Sequence, residues 1–169
     1  MNRNLKRALK LASHSLVILM VLLALLLVGV RIAGLDVLAV LSPSMEPKYP
    51  TGSLIYLVDV EPENLKEEDV ITYRITDTTT ATHRIKEIIP DKDDPSIVRF
   101  RTKGDNNDTY DGNLVEFEQV EGKVIFCIPL LGYLSMYIQN PPGLYIAIGV
   151  AMAVIVFVLT VDAVTDDKK

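Results

Sequence analysis

The chain has 169 residues and a formal net charge of −5, enough for one modest domain and its membrane anchors. Between residues 45 and 140, acidic side chains outnumber basic ones by 18 to 10. This excess argues against a nucleic-acid partner, whose phosphates call for a basic surface. Cys127 is the only cysteine, which excludes an internal disulfide and a cysteine-rich metal site. It lies in an apolar run, so we expect a small buried hydrophobe.

The first predicted element is a membrane-spanning helix near the N-terminus. Residues 11–30 form an uncharged run of 20 residues, long enough to cross a hydrocarbon core of ~30 Å. A cleaved signal peptide would have a shorter apolar run with a small-x-small site soon after it, whereas Arg31 follows here. We therefore predict an uncleaved anchor at residues 11–33. Four basic residues precede the run and predict a cytoplasmic N-terminus at residues 1–10: Arg3, Lys6, Arg7 and Lys10.

Residues 38–140 are predicted to form one extracytoplasmic, mainly β domain. Near its start lies the turn Ser42-Pro43-Ser44-Met45-Glu46-Pro47, whose prolines exclude a helix interior or a central strand. Short segments with alternating apolar side chains follow, and turn signals separate them. The predicted strands are residues 53–60, 69–75, 81–89, 97–102 and 118–128.

A second membrane-spanning helix is predicted at residues 143–161, directly after the helix-breaking pair Pro141-Pro142. With two spans, the tail at residues 162–169 returns to the cytoplasm. The predicted location is the cell membrane, with the middle domain outside the cell.

A serine and a histidine in the middle domain suggest nucleophilic catalysis. A serine hydroxyl such as that of Ser44 is a weak nucleophile unless a neighbouring base takes its proton, and histidine is the usual base. His14 lies in the first span, which leaves His83 as the one histidine candidate. Period-two alternation places His83 on the apolar face of its strand. Two alternatives stay open: a buried histidine satisfied by the backbone, or a base supplied by Lys86 or Lys103.

The polar loop at residues 103–113 supplies aspartates that can orient a histidine base. Its ordinary interpretation is a tight turn rich in Asp, Asn and Gly. Four residues fall at positions 1, 3, 5 and 12 of a calcium loop: Asp105, Asn107, Thr109 and Glu116. Tyr110 stands where that loop needs glycine, so no metal is predicted. Asn107-Asp108-Thr109 also matches the acceptor pattern for N-glycosylation.

Several ordered blocks of this sequence resemble type I signal peptidases of the archaeal and endoplasmic-reticulum type, which use serine and histidine. The resemblance runs from about residue 41 to residue 133. Its blocks are the Ser42-x-Ser44-Met45-Glu46-Pro47 box with residues 51–55, the strand at 69–71, His83-Arg84-Ile85, residues 103–107 with Asp111, and the closing residues 122–125 and 129–132. Pro43 replaces the more usual Gly and Gly52-Ser53 the more usual Gly-Asp; we expect a stiffer turn and retained activity.

The resemblance implies a role for five positions. Ser44 matches the nucleophile, and His83 stands where bacterial relatives have a lysine base. Asp111 matches the aspartate most often tied to activity and Asp105 a second, supporting one; which of them orients His83 stays open. Ser42 matches a hydroxyl of the oxyanion hole, with the Ser44 N–H as the other donor. No metal or organic cofactor is implied.

The resemblance also implies a fold and a function. The fold is a coiled β domain, like that of signal peptidases, flanked by two transmembrane helices. The function is that of a membrane-bound serine endopeptidase that removes N-terminal signal peptides from secreted and membrane preproteins. The implied partners are preproteins and the lipid membrane, with the protein-export translocase as a further candidate and no nucleic acid. The alternative is a non-catalytic homologue that acts as a preprotein-binding or assembly subunit.

Overall fold

The computed structural model describes residues 2–91, 94 and 97–165. The chain divides into two compact units, a helical one and a β domain that runs from Val30 to Ser135. The β domain begins earlier than residue 38, where the sequence analysis starts it. The reason is an additional strand, Leu35–Ala39, that pairs into the sheet.

The helical unit contains two long apolar helices. Helix α1 spans Arg3–Ala24, is capped by Asn2 and continues into a π-helical stretch, Leu25–Gly29. The C-terminal helix, α4, spans Gly143–Thr165. Both are long and apolar enough to cross a membrane, as judged by length and composition. Helix α1 starts before the predicted apolar run because its Lys, Arg, Leu and Ala residues all favour helix.

Two shorter helices complete the α-helices of the described residues. Helix α2 is a single turn at Val30–Ile32, and α3 spans Leu131–Gln139. Helix α3 ends before the Pro141-Pro142 pair, because proline cannot continue a helix and restricts the residue before it.

The β domain is built on one antiparallel sheet of seven strands. Its strands are β1 (Leu35–Ala39), β2 (Leu54–Val58), β3 (Val70–Thr76), β4 (Thr79–Pro90), β5 (Val98–Lys103), β6 (Val115–Glu116) and β7 (Val120–Ile128). They are ordered β1-β2-β7-β3-β4-β5-β6. The predicted mainly β domain with a membrane-length helix at each end is therefore confirmed. Strands β1 and β6 were not predicted, and both lie at sheet edges.

The register between β3 and β4 places the histidine over a hydrophobic core. Ile71 lies opposite His83, and Tyr73 lies opposite Ala81. Because alternate residues share a face, Ile71, Tyr73 and His83 point to the same side as Ile85. Ile71 and Ile85 are fully buried there in one core cluster with Tyr73.

Cys127 was predicted to be a buried hydrophobe, but its burial is incomplete. It lies on β7 at intermediate exposure and packs against the second core cluster, which includes Met45, Ile55 and Val124. The neighbouring residue on β7, Phe126, is exposed, so this part of the strand is only partly covered.

Candidate active site

Ser44 lies on a short 3-10 turn, Pro43–Met45, between β1 and β2. A proline is tolerated at the first position of such a turn because its missing N–H would have no partner there. The next side chain, Met45, is 1% exposed and anchors the turn in the core. Ser44 itself is half-buried. Because Met45 is held in the core and Ser44 is half-exposed, the Ser44 hydroxyl lies at the surface of the domain.

The structure brings Ser44, His83 and Asp111 together from three separate parts of the sequence. His83 Nε2 lies 3.1 Å from Ser44 Oγ, and His83 Nδ1 lies 2.7 Å from Asp111 Oδ2. A neutral imidazole with its proton on Nδ1 donates to the carboxylate and accepts the serine proton at Nε2. The His83 and Asp111 side chains are 12% and 20% exposed, so the pair is largely shielded from solvent. This geometry can activate a serine for nucleophilic attack.

Two hydroxyl groups that the sequence analysis did not single out also reach Asp111. Thr102 Oγ1 donates to Asp111 Oδ2 at 2.6 Å and Tyr73 OH at 3.0 Å. Burial is the main cause that raises the pKa of Tyr73 to about 12, so the phenol remains a donor at neutral pH. Alternation is the sequence signal that could have found Thr102 and Tyr73, because it places both polar side chains on the apolar faces of their strands.

Asp105, the other aspartate left open by the sequence, has a different partner. Arg84 Nε donates to Asp105 Oδ1 at 2.7 Å, and a second bond joins Arg84 Nη2 to Asp105 Oδ2. The Arg84 hydrogen bond is the main cause that lowers the pKa of the Asp105 carboxyl. The Asp105 N–H points to Met45 Sδ at 3.4 Å. Asp105 is thus hydrogen-bonded to Arg84 next to the serine turn, whereas Asp111 is hydrogen-bonded to His83.

The loop that carries both aspartates also holds the backbone of the serine turn. The Asn106 backbone N–H donates to the Ser44 carbonyl at 2.9 Å, and its side-chain amide donates to the Pro43 carbonyl at 3.2 Å. At Gly104, a Cβ atom would lie 2.6 Å from the Ser44 carbonyl oxygen. Only glycine permits this close approach.

The remaining predicted residues have contacts of their own. Ser42 Oγ lies 3.1 Å from Ser44 Oγ, close to the candidate nucleophile. The two alternative bases bond elsewhere: Lys86 Nζ donates to Glu68 at 2.8 Å, and Lys103 Nζ donates to the Asp108 carbonyl at 3.3 Å. Within residues 2–91, 94 and 97–165, no cluster of three or more His, Cys, Asp or Glu side chains is arranged to hold a metal ion.

Comparison with known proteins identifies the family. No family model matches the chain. Signal peptidase I W of Bacillus subtilis (strain 168) is 40% identical over 91 residues, which cover 53% of this chain and 46% of that protein. The signal peptidase complex catalytic subunit sec11 of Aspergillus terreus is 30% identical over 130 residues, 64% of this chain and 68% of that protein. The human signal peptidase complex catalytic subunit SEC11C is 26% identical over 114 residues, 63% of this chain and 58% of that protein.

The 30% identity with the Aspergillus terreus subunit, over 68% of that protein, shows the family. The chain belongs to the type I signal peptidases, of the endoplasmic-reticulum and archaeal type. The resemblance of the ordered sequence blocks is thereby confirmed. The chain matches about half of the length of the Bacillus subtilis relative and somewhat more of the human one.

Proposed function

We propose that this protein is a membrane-bound serine endopeptidase that removes N-terminal signal peptides from secreted and membrane preproteins. The observation that carries the proposal is the 3.1 Å contact between Ser44 Oγ and His83 Nε2, with Asp111 on the other ring nitrogen. The relatives are named signal peptidases and catalytic subunits of a signal peptidase complex, and these names supply the substrate class.

In the proposed mechanism, Ser44 Oγ attacks the scissile carbonyl while its proton passes to His83 Nε2. Asp111 keeps the imidazole oriented through Nδ1 and stabilises the imidazolium that forms. His83 then returns the proton to the leaving amine, which releases the mature protein and leaves an acyl-enzyme on Ser44. A water molecule, deprotonated by His83, hydrolyses the ester and restores the serine.

The developing oxyanion needs donors close to the nucleophile. The Ser42 hydroxyl is the proposed side-chain donor because it lies 3.1 Å from Ser44 Oγ. The Ser44 backbone N–H is the proposed second donor. Loss of one such donor costs about 3–4 kcal/mol of transition-state stabilisation. Activity also depends on a neutral His83, because an imidazolium has no lone pair to accept the serine proton.

The proposed location of the reaction is the outer surface of the cell membrane. A signal peptide is cut a few residues beyond its own apolar stretch. In the sequence, only the short helix α2 and strand β1 separate Ser44 from the end of the first apolar helix at Gly29. Several apolar side chains of the β domain are exposed and suit a lipid surface: Leu41, Phe126, Leu130 and Tyr133. The proposed partners are therefore preproteins and the lipid membrane, with the protein-export translocase as a further candidate.

The test is cleavage of a labelled preprotein by the full-length protein in liposomes. Wild type should cut once, after a small-x-small site, and both Ser44→Ala and His83→Ala should abolish the cut. His14→Ala is the matched control and should leave cleavage intact, because His14 lies in the first helix and bonds to the Lys10 carbonyl of that helix. Retained cleavage in His83→Ala would favour a lysine base. A wild type that cuts none of several preproteins would favour the binding-subunit alternative.

A further inference from the structure

The Asp111 carboxylate accepts three hydrogen bonds on the same oxygen. Besides His83 Nδ1 at 2.7 Å, the donors to Oδ2 are Thr102 Oγ1 at 2.6 Å and Tyr73 OH at 3.0 Å. These donors come from three adjacent strands, β4, β5 and β3. The Asp111 N–H also donates to the Thr102 carbonyl at 3.0 Å, which fixes the backbone beneath the carboxylate.

The number of available protons determines which of the short contacts are hydrogen bonds. A threonine or tyrosine hydroxyl has one proton to donate. The two bonds to Asp111 use both protons. Two further contacts are short: Thr102 Oγ1 lies 3.2 Å from Tyr73 OH, and Tyr73 OH lies 3.4 Å from His83 Nδ1. Neither hydroxyl has a second proton to donate in these contacts. Both hydroxyls are directed at the carboxylate.

We propose that Thr102 and Tyr73 are positioning residues of the active site, whose hydroxyls hold the Asp111 carboxylate against His83. The proposal rests on the proposed function, because it assigns Asp111 the task of orienting the base. Neither side chain touches Ser44 in the described contacts, so each acts through Asp111. The roles implied by the family resemblance do not include Thr102 or Tyr73.

The hydroxyls also moderate the charge that His83 experiences. Two neutral donors on Oδ2 spread the carboxylate charge, which limits how strongly Asp111 stabilises an imidazolium. When one donor is removed, the Asp111 carboxylate presents more of its negative charge to His83, and this favours the protonated imidazole. The titratable groups recorded in contact with the ring are Asp111, from the loop after β5, and Tyr73, from β3; the serine turn contributes Ser44. Arg74, from β3, lines the cavity beside them.

The two hydroxyls differ in how easily water can replace them. Thr102 is 0% exposed, and valine would fill its place without room for a solvent molecule. Tyr73 lines a cavity of about 290 Å³ together with His83 and Asp111. Water in that cavity can donate to Asp111 once the phenol oxygen is removed. Thr102→Val should therefore impair the enzyme more than Tyr73→Phe.

The experiment measures kcat and KM against pH for the full-length protein in liposomes with a labelled preprotein. In Thr102→Val, kcat should fall about tenfold, the scale of a lost hydrogen bond to a charged group, with KM unchanged. The acidic limb of the profile, where the rate falls as pH is lowered, should move to higher pH. Tyr73→Phe should show the same changes at a smaller size. Thr102→Ser keeps the hydroxyl and should restore both kcat and the profile.

The matched control is Thr72→Val. Thr72 is also 0% exposed and bonds Thr82 on the neighbouring strand at 2.7 Å, on the opposite face of the sheet from His83. Thermal unfolding of every variant reports the purely structural cost of removing a buried hydroxyl. Thr102→Val and Thr72→Val should lose similar stability, but only Thr102→Val should change the pH profile.

A second measurement separates this proposal from the proposed function. NMR titration of the His83 imidazole in detergent, without substrate, should show a higher midpoint in Thr102→Val and Tyr73→Phe than in wild type, even if no preprotein is cut. A wild type that cuts nothing, combined with these shifts, would overturn the peptidase function and keep the positioning role. Unshifted midpoints, or failure of Thr102→Ser to recover the profile, would overturn the positioning role.

Discussion

At the scale of single residues, Gly52 shows how closely the chain packs beside the serine turn. Its φ is +82°, in the region that favours glycine, and its carbonyl accepts a hydrogen bond from the Tyr133 N–H. A Cβ atom at this position would lie 1.9 Å from Tyr133 Cε2. Conformation and space therefore both require glycine here.

We expect Gly52→Ala to lower the stability of the β domain well beyond the cost of a positive φ. Gly34→Ala isolates that cost, since Gly34 has φ +79° and nothing within 4 Å of its added Cβ. The conformational cost alone is about 1–2 kcal/mol, and Gly52→Ala should exceed it because the Tyr133 ring must move. Thermal unfolding in detergent measures both; equal losses would show that the ring moves aside without cost.

The Arg84–Asp105 pair is a second feature at the residue scale, and its stabilisation has a defined pH dependence. The Arg84 hydrogen bond lowers the pKa of Asp105 from its ordinary value of 3.8. A lowered folded-state pKa means that the stabilisation is fully present above the unfolded value and is lost as pH falls through the lower, folded value. We expect Asp105→Asn to cost about 1–3 kcal/mol, constant from pH 7 to 5. Denaturant unfolding at several pH values below 4 should show wild type and variant converge.

At the scale of elements, the important contact joins the loop after β5 to the serine turn between β1 and β2. The loop residues Gly104 and Asn106 meet the backbone of Ser44. The same loop carries Asp111. One connection thus sets the position of the proposed nucleophile and of the aspartate beside the proposed base, and distortion at either end should affect the proposed catalysis.

Gly104→Ala tests this coupling. Its Cβ would lie 2.6 Å from the Ser44 carbonyl oxygen and 2.7 Å from Asn107 Nδ2, so the turn must shift. A displacement of the nucleophile by about 1 Å can cost roughly 100-fold in rate. We expect kcat to fall by that order, while Gly112→Ala, whose added Cβ meets nothing within 4 Å, changes little. Preprotein cleavage assays compare the two; equal activities would contradict the coupling.

At the scale of the whole molecule, two helices of membrane-spanning length enclose the β domain in the sequence. The basic residues at the start of α1, before its apolar run, predict that the domain lies outside the cell. The acidic surface of residues 45–140 is then a solvated exterior surface.

Cysteine labelling of intact cells tests this orientation. In a Cys127→Ser background, which removes the only native cysteine, Thr78→Cys at the tip of the β3–β4 hairpin should react with a membrane-impermeant maleimide. Asn4→Cys should react only after permeabilisation. The Cys127→Ser protein by itself should stay unlabelled. The reverse pattern would place the β domain in the cytoplasm.

Much of this protein follows from local sequence. The length of an apolar run and the position of prolines depend on neighbouring residues, so both long helices and the bend at Ser44 were predictable. Short apolar segments bounded by turn signals predicted β2, β3, β4, β5 and β7 to within a few residues, and ordered sequence blocks identified the family. His83 emerged as the candidate base by elimination, since His14 lies in the first helix.

Tertiary structure decided the features that depend on register and on distant contacts. Alternation assigns a face to a side chain but not the partner across the sheet, so the sequence left open which of Asp105 and Asp111 orients His83. The loop conformation separates them by directing one to Arg84 and the other to His83. Edge strands β1 and β6 become strands only by pairing with distant residues. The hydroxyls of Tyr73 and Thr102 converge on Asp111 because three strands pair in a particular register, and no short stretch of sequence encodes that register.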